Sequence, residues 1–200
     1  MRRNLSSHVV MTMMSLLLFV ASACAGSSAA TGEQAQSAQS KEFEMRIDKY
    51  MEVHRKAEGA LPALPRETTD AALIAKHQQQ LAGKIRDLRP NALAGEIFTP
   101  LVREMVLATI KQKTEGKDGA AAKATILGEG NPKSGESPTP VNLVVNATYP
   151  ATAPLSTMPP SVLMALPTLP KELQYRFVGR NLILLDSQAN LIVDFIPNVL

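Results

Sequence analysis

Residues 173–196 read LQYRFVGRNLILLDSQANLIVDFI, the densest apolar stretch of the chain. Two polar interruptions divide it. Gly179-Arg180 fits a two-residue hairpin turn with glycine in first place, and Ser187–Asn190 fits a four-residue loop. The stretch therefore predicts a three-stranded antiparallel meander. Loop lengths fix a register. The first turn pairs Phe177 with Leu182 and Tyr175 with Leu184. The second pairs Leu184 with Val193 and Leu182 with Phe195. One face then carries Tyr175, Phe177, Leu182, Leu184, Leu191, Val193 and Phe195, all apolar, and is the expected core face. The other carries Gln174, Arg176, Ile183, Leu185, Ile192, Asp194 and Ile196. Arg176, Ile183 and Asp194 share a row on it, so an Arg176–Asp194 ion pair across Ile183 is expected, worth ~0–1 kcal/mol if exposed.

Upstream of the meander, residues 150–170 hold six prolines around Val162-Leu163-Met164. That composition predicts a stiff, extended segment with one short helix, wrapped on a core. Val141–Tyr149 (VNLVVNATY) is a strand candidate. Residues 114–140 read as a flexible connector, with a short helical turn at 120–127 where Ile126 and Leu127 fall. Before it, apolar residues recur at helical spacing. Phe43, Ile47, Tyr50, Met51, His54 and Ala57 predict a helix over about 41–58. Thr68-Thr69-Asp70 supplies an N-cap for a second helix with Ala71, Ile74, Leu81, Ile85 and Leu88 on one stripe, ended near Pro90. Thr99-Pro100 starts a third, with Val102, Met105, Val106 and Ile110 on its apolar side. The fold class is α+β: three N-terminal helices with a small antiparallel sheet, one domain over 41–200.

The pattern YRF-x-G-x-x-LILLD-x-x-AN-LIVDFI, from Tyr175 to Ile196, follows VN-x-TYP at Val145–Pro150 and the proline-rich run. Together they resemble a family of uncharacterised exported bacterial proteins. The resemblance spans most of residues 41–200, and the C-terminal motif is its specific part. It implies export and a shared architecture, with no assigned activity.

The N-terminus agrees with export. Arg2 and Arg3 form a positive region, and Val9–Ala21 an apolar one too short to span a bilayer comfortably, which takes about 20 residues. Residues 1–23 thus read as a secretory signal. Cys24 is the only cysteine, so the chain forms no internal disulfide. Two processing routes are open. Cleavage after Ala23 or Ala25 releases a soluble protein. Alternatively Ala21-Ser22-Ala23-Cys24 is a lipobox, and Cys24 is lipidated as the first mature residue. Residues 24–40 are small and polar and read as a disordered tether, so membrane association would run through the lipid anchor only.

Charge excludes one class of partner. Once Arg2 and Arg3 are removed, 19 positive side chains face 18 negative ones. Lys and Arg are spread without aromatic interleaving, so nucleic acid is not expected. There is no Trp, and aromatics total three Tyr and five Phe, so the core must be aliphatic.

The search for chemistry is largely negative. No G-x-S-x-G, P-loop or G-x-G-x-x-G occurs, and neither catalytic residue nor cofactor is assigned. His54 and His77 sit on separate helices without metal-site spacing, so no metal is assigned. Asp186 and Asp194 fall on opposite faces in the register above and read as a turn cap and an ion-pair partner. The leading expectation is a non-enzymatic exported envelope protein that binds a protein partner or an envelope component. Its second sheet face would do so, through Arg176, Ile183, Ile192 and Asp194, unless helices cover that face. One alternative is a small-ligand-binding or enzymatic domain with a site between helices and sheet, using Arg176, Arg180, Asp186 or His77. Another is a weak periplasmic metal binder through His54 and His77.

The intact mass of the mature protein from its native membrane fraction separates the two processing routes. Lipidation predicts a chain starting at Cys24 plus acyl groups. An unmodified chain starting after Ala23 or Ala25 would make the cysteine incidental.

Overall fold

A computed structural model of the chain describes residues 27–65, 67–129, 141–150, 153 and 156–200. Its elements run α1 (Ser27–Gly59), α2 (Ala71–Leu88), α3 (Pro100–Thr114), α4 (Gly116–Glu129), α5 (Pro160–Leu163), β1 (Leu173–Val178), β2 (Asn181–Asp186) and β3 (Leu191–Ile196). The strands form one antiparallel sheet in the order β1-β2-β3. The α+β class and the three-stranded C-terminal meander are as the sequence predicts. The signal region and Cys24 lie outside the described residues.

Local chemistry sets the helix ends. The Asp70 carboxylate accepts from the backbone N–H groups of Ala72 and Leu73, satisfying donors that have no intrahelical partner. α2 stops at Leu88, with Arg89 as its cap just before Pro90. The Thr99 hydroxyl accepts from the Val102 N–H, with Pro100 at the first helical position of α3. α2 buries Leu81, Ala82 and Ile85, while Ile74 and Leu88 from the expected stripe stay exposed.

Three expectations change. α1 begins at Ser27, so residues 27–40 continue the helix through the run read as a disordered tether. The connector's first half is a full helix, α4, because Ile126 at its C-terminal end finds a completely buried place in the core. Residues 130–140 lie outside the described residues. Val141–Tyr149 is not a strand. It makes a single bridge, Thr148 to Leu191, and turns at Asn146, whose φ is +65°. The Asn146 side chain donates to the Arg89 carbonyl and accepts from the Arg89 guanidinium, which pins the turn against the end of α2.

The main core lies between helices and sheet. Phe43 of α1 stacks on Phe98 and on Tyr175, with ring centroids 6.4 and 6.5 Å apart. Around them pack Ile47, Leu81, Ile85, Val106 and Ile110 from the helices, and Phe177, Leu182 and Leu184 from the sheet. A second, smaller cluster covers the opposite sheet face. There Ile183, Leu185 and Ile192 pack under Tyr149 and Ala153, with Val141 and Leu143 at the margin. The segment before the sheet, rather than a helix, closes that face.

The first hairpin has the predicted register, with Tyr175 opposite Leu184 and Phe177 opposite Leu182. Gly179 supplies the positive φ of +57° that its turn needs. The second hairpin departs from prediction. Leu182 faces Ile196 and Leu184 faces Asp194, with an irregularity between Leu184 and Leu185. Val193 is the extra residue of this β-bulge, which shifts the following side chains by one. Ile196 therefore joins the main core, and Phe195 packs with the second cluster.

Asp194 is the reason this register holds. It is fully buried and makes no ion pair with Arg176. Instead its carboxylate accepts four backbone N–H groups: Gly95 at 2.9 Å and Ile97, Phe98 and Phe195 each at 2.8 Å. Three of these belong to the loop between α2 and α3, so the carboxylate fixes how that loop meets the sheet. A buried carboxylate without such donors would be strongly disfavoured.

Asp194→Ala should therefore cost at least ~3 kcal/mol of unfolding free energy, because it orphans several buried N–H groups at once. Asp194→Asn, which keeps one acceptor oxygen, should fall between that variant and the parent. Urea denaturation followed by circular dichroism measures both. A loss near zero for the alanine variant would mean that the loop does not depend on this carboxylate.

Candidate functional site

α1 presents Tyr50 and His54 one turn apart on the same face, both buried. They meet Asp186, the last residue of β2, which is completely buried. Its Oδ2 accepts the Tyr50 hydroxyl at 2.7 Å and lies 2.7 Å from His54 Nδ1. Its Oδ1 accepts the backbone N–H groups of Gln188 at 3.0 Å and Ala189 at 2.8 Å, capping the turn into β3. His54 Nε2 lies 3.1 Å from the Gln188 side-chain oxygen. Both ring nitrogens thus face oxygen acceptors, and only the imidazolium donates to both.

The electrostatics agree with that form. Burial lowers the proton affinity of His54. The hydrogen bond and charge of Asp186, then Gln188 and the Glu58 charge, raise it by more, so its pKa lies above the ordinary value. Burial, followed by the Asp186 charge, drives the Tyr50 hydroxyl far upward, so it remains a donor. The Arg89 guanidinium sits 5.0 Å from the centre of the Tyr50 ring and is held there by Glu96 at 2.9 Å.

Gln188 joins this buried network to an open cleft of about 640 Å³. The cleft lies between the end of α1, the 59–64 linker, α2 and the β2–β3 turn. Leu61, Ala63, Leu64, Ile74 and Leu81 form its apolar wall, and Arg55, Glu58, His77, Gln78 and Gln188 its polar rim. The Gln78 amide donates to the Ser187 carbonyl at 3.3 Å, tying α2 to the turn across the cleft floor.

The residues singled out from sequence disperse. Ile183 and Ile192 are fully buried beneath residues of 141–150 and Ala153 and offer no exposed binding face. The physical reason is that these residues lie across the sheet, so the apolar area of both isoleucines is already covered. Asp194 holds the α2–α3 loop. Arg176 is half-buried and donates to Gln174 at 2.6 Å, its Nε lacking a partner. Arg180 donates to the Leu200 carbonyl. Of the second set only His77 lines the cleft, while Asp186 stands behind it through His54 and Gln188. Among the described residues, no group of three or more His, Cys, Asp or Glu is placed to hold a metal ion. Sequence reasoning missed the Tyr50–His54–Asp186 cluster. The available signal was a Tyr and a His four apart on the apolar stripe of α1, polar groups that need a buried acceptor.

No family model matches the chain, and no curated protein or solved structure is significantly similar to it. Among the described residues no helix is long and apolar enough to cross a membrane.

The His54–Asp186 pair predicts a pH dependence of stability. A pKa raised on folding contributes stability that is full below the unfolded histidine value of about 6.5. That contribution is lost as pH rises through the higher folded value. Unfolding free energy from urea titrations should therefore decline from about pH 6.5 upward in the parent. His54→Gln should be less stable and lack that decline. An unchanged slope in the variant would assign the pH dependence elsewhere.

Proposed function

We propose that this chain is an exported binding protein of the bacterial envelope whose site is the cleft between α1, α2 and the β2–β3 turn. The cleft itself carries the reading. Its volume of about 640 Å³ falls within the range typical of small-molecule sites. It combines apolar lining side chains with polar ones, as small-molecule sites do. Support for export comes from the residues before Cys24 and, for a membrane-held form, from the cysteine itself. The sheet face that carries Ile183 and Ile192 is occupied by the chain's own Tyr149 and Ala153. The cleft is the alternative that leaves apolar side chains accessible: Ile74 is 42% exposed on its wall. Binding rather than turnover fits His54, whose outward nitrogen is already engaged by Gln188.

A neutral apolar dye such as N-phenyl-1-naphthylamine tests the site. Its fluorescence should rise saturably with the full chain, one dye per protein. Ile74→Asp, an exposed position whose change leaves the core intact, should weaken the dye at least about tenfold. A signal that does not saturate, or that ignores Ile74→Asp, would remove the cleft as the site.

A further inference from the structure

The polar end of the cleft is asymmetric in hydrogen-bonding terms. His54 faces Gln188 Oε1 with Nε2, 3.1 Å away, while its Nδ1 is committed to Asp186. An imidazolium N–H donating to the amide oxygen leaves the opposite end of that amide, the NH2 group, directed away from the ring. Gln188 is exposed and lines the cleft, so the buried network presents a donor to it. Arg55 adds a second donor on the same rim and has no ion-pair partner among the described residues. One N–H of the Gln78 amide is already given to the Ser187 carbonyl. Glu58 is the one acidic group of the rim, and its charge acts on His54, whose proton affinity it raises.

We propose that the cleft takes an amphipathic carboxylate. Its chain lies against Leu61, Leu64, Ile74 and Leu81, and its head accepts from the Arg55 guanidinium and the Gln188 amide. This rests on the cleft being the binding site. Formal charge around the head cancels, since Arg55 and the His54 imidazolium stand against Asp186 and Glu58. Selectivity therefore comes from which atoms face the ligand. The Asp186 oxygens are turned inward onto Tyr50, His54 and the backbone of the turn. Arg55 and Gln188 are exposed and line the cleft. A carboxylate on a guanidinium makes charge-assisted hydrogen bonds, roughly twice as strong as neutral ones. His54 is a positioning residue: it orients the amide and does not touch the ligand.

Three eight-carbon probes with different heads read this directly by calorimetry on the full chain: octanoate, octanol and octylamine. At pH 6 octanoate should bind about tenfold or more tighter than octanol, and octylamine should be weakest. Arg55→Gln and Gln188→Leu, both at exposed positions, should each remove most of the preference for octanoate over octanol. Octanoate, and not octanol, should shift the Gln188 side-chain amide resonances in the parent. Equal binding of octanoate and octanol, or a preference for octylamine through Glu58, overturns the carboxylate inference and leaves the cleft standing. Failure of all three probes removes the cleft as the site together with the inference.

Discussion

A carboxylate shut away from water must find its donors inside the protein, and Asp186 finds four of them. Two come from side chains of α1 and two from the backbone of the turn that follows β2. One buried group thereby fixes a helix and a hairpin to each other. α1 cannot slide or rotate by a residue without leaving the carboxylate partly unsatisfied, at a cost of order 1–3 kcal/mol per orphaned group. His54, the partner able to carry the matching charge, comes from the same helix. Everything at the rim of the cleft inherits this geometry: Gln188 is placed by its backbone bond to Asp186 and by its side-chain bond to His54.

Asp194 repeats the principle on the next strand with backbone donors only. The two aspartates divide the work of joining helices to sheet. Asp186 anchors α1, and Asp194 anchors the loop between α2 and α3. Such bonds are directional where aliphatic packing is not. Outside the Phe43–Phe98–Tyr175 stack the core is largely aliphatic, and two buried carboxylates supply orientation that leucine and isoleucine contacts alone do not impose.

Those same groups explain what could be read from the sequence and what could not. Helix caps at Asp70 and Thr99, the stop before Pro90 and the first hairpin were legible because each depends on neighbours in the chain. The register of β3 was not. Alternation and loop length favoured a regular hairpin, and the bulge at Val193 answers to N–H groups of residues 95–98, far away in sequence. α4 was legible only as a short turn at 120–127, because its alanines and glycines carry little periodic signal; its place is settled by Ile126 reaching the core. The 141–149 segment has strand-like composition, but only its second half pairs with the edge of β3, through three backbone hydrogen bonds between residues 146–149 and 190–192, and the Asn146 turn with its Arg86 and Arg89 partners keeps the first half out of the sheet. The candidate site suffered most. Tyr50, His54, Asp186 and Gln188 come from two regions whose meeting no local pattern announces.

α1 is exposed at its start and buried further along. Its first core contact of any size is Phe43, while Gly32–Ala38 are solvent-exposed along the helix. At 1.5 Å of rise per residue, that exposed stretch runs roughly 10 Å along the helix before Ser40 meets Met105 of α3. A rod behaves differently from a string. A string lets the domain tumble and meet its surroundings from any side. A rod continuous with a core helix transmits orientation, so whatever holds the chain ahead of Ser27 also governs the heading of the cleft, which opens at the far end of that same helix beside Gly59.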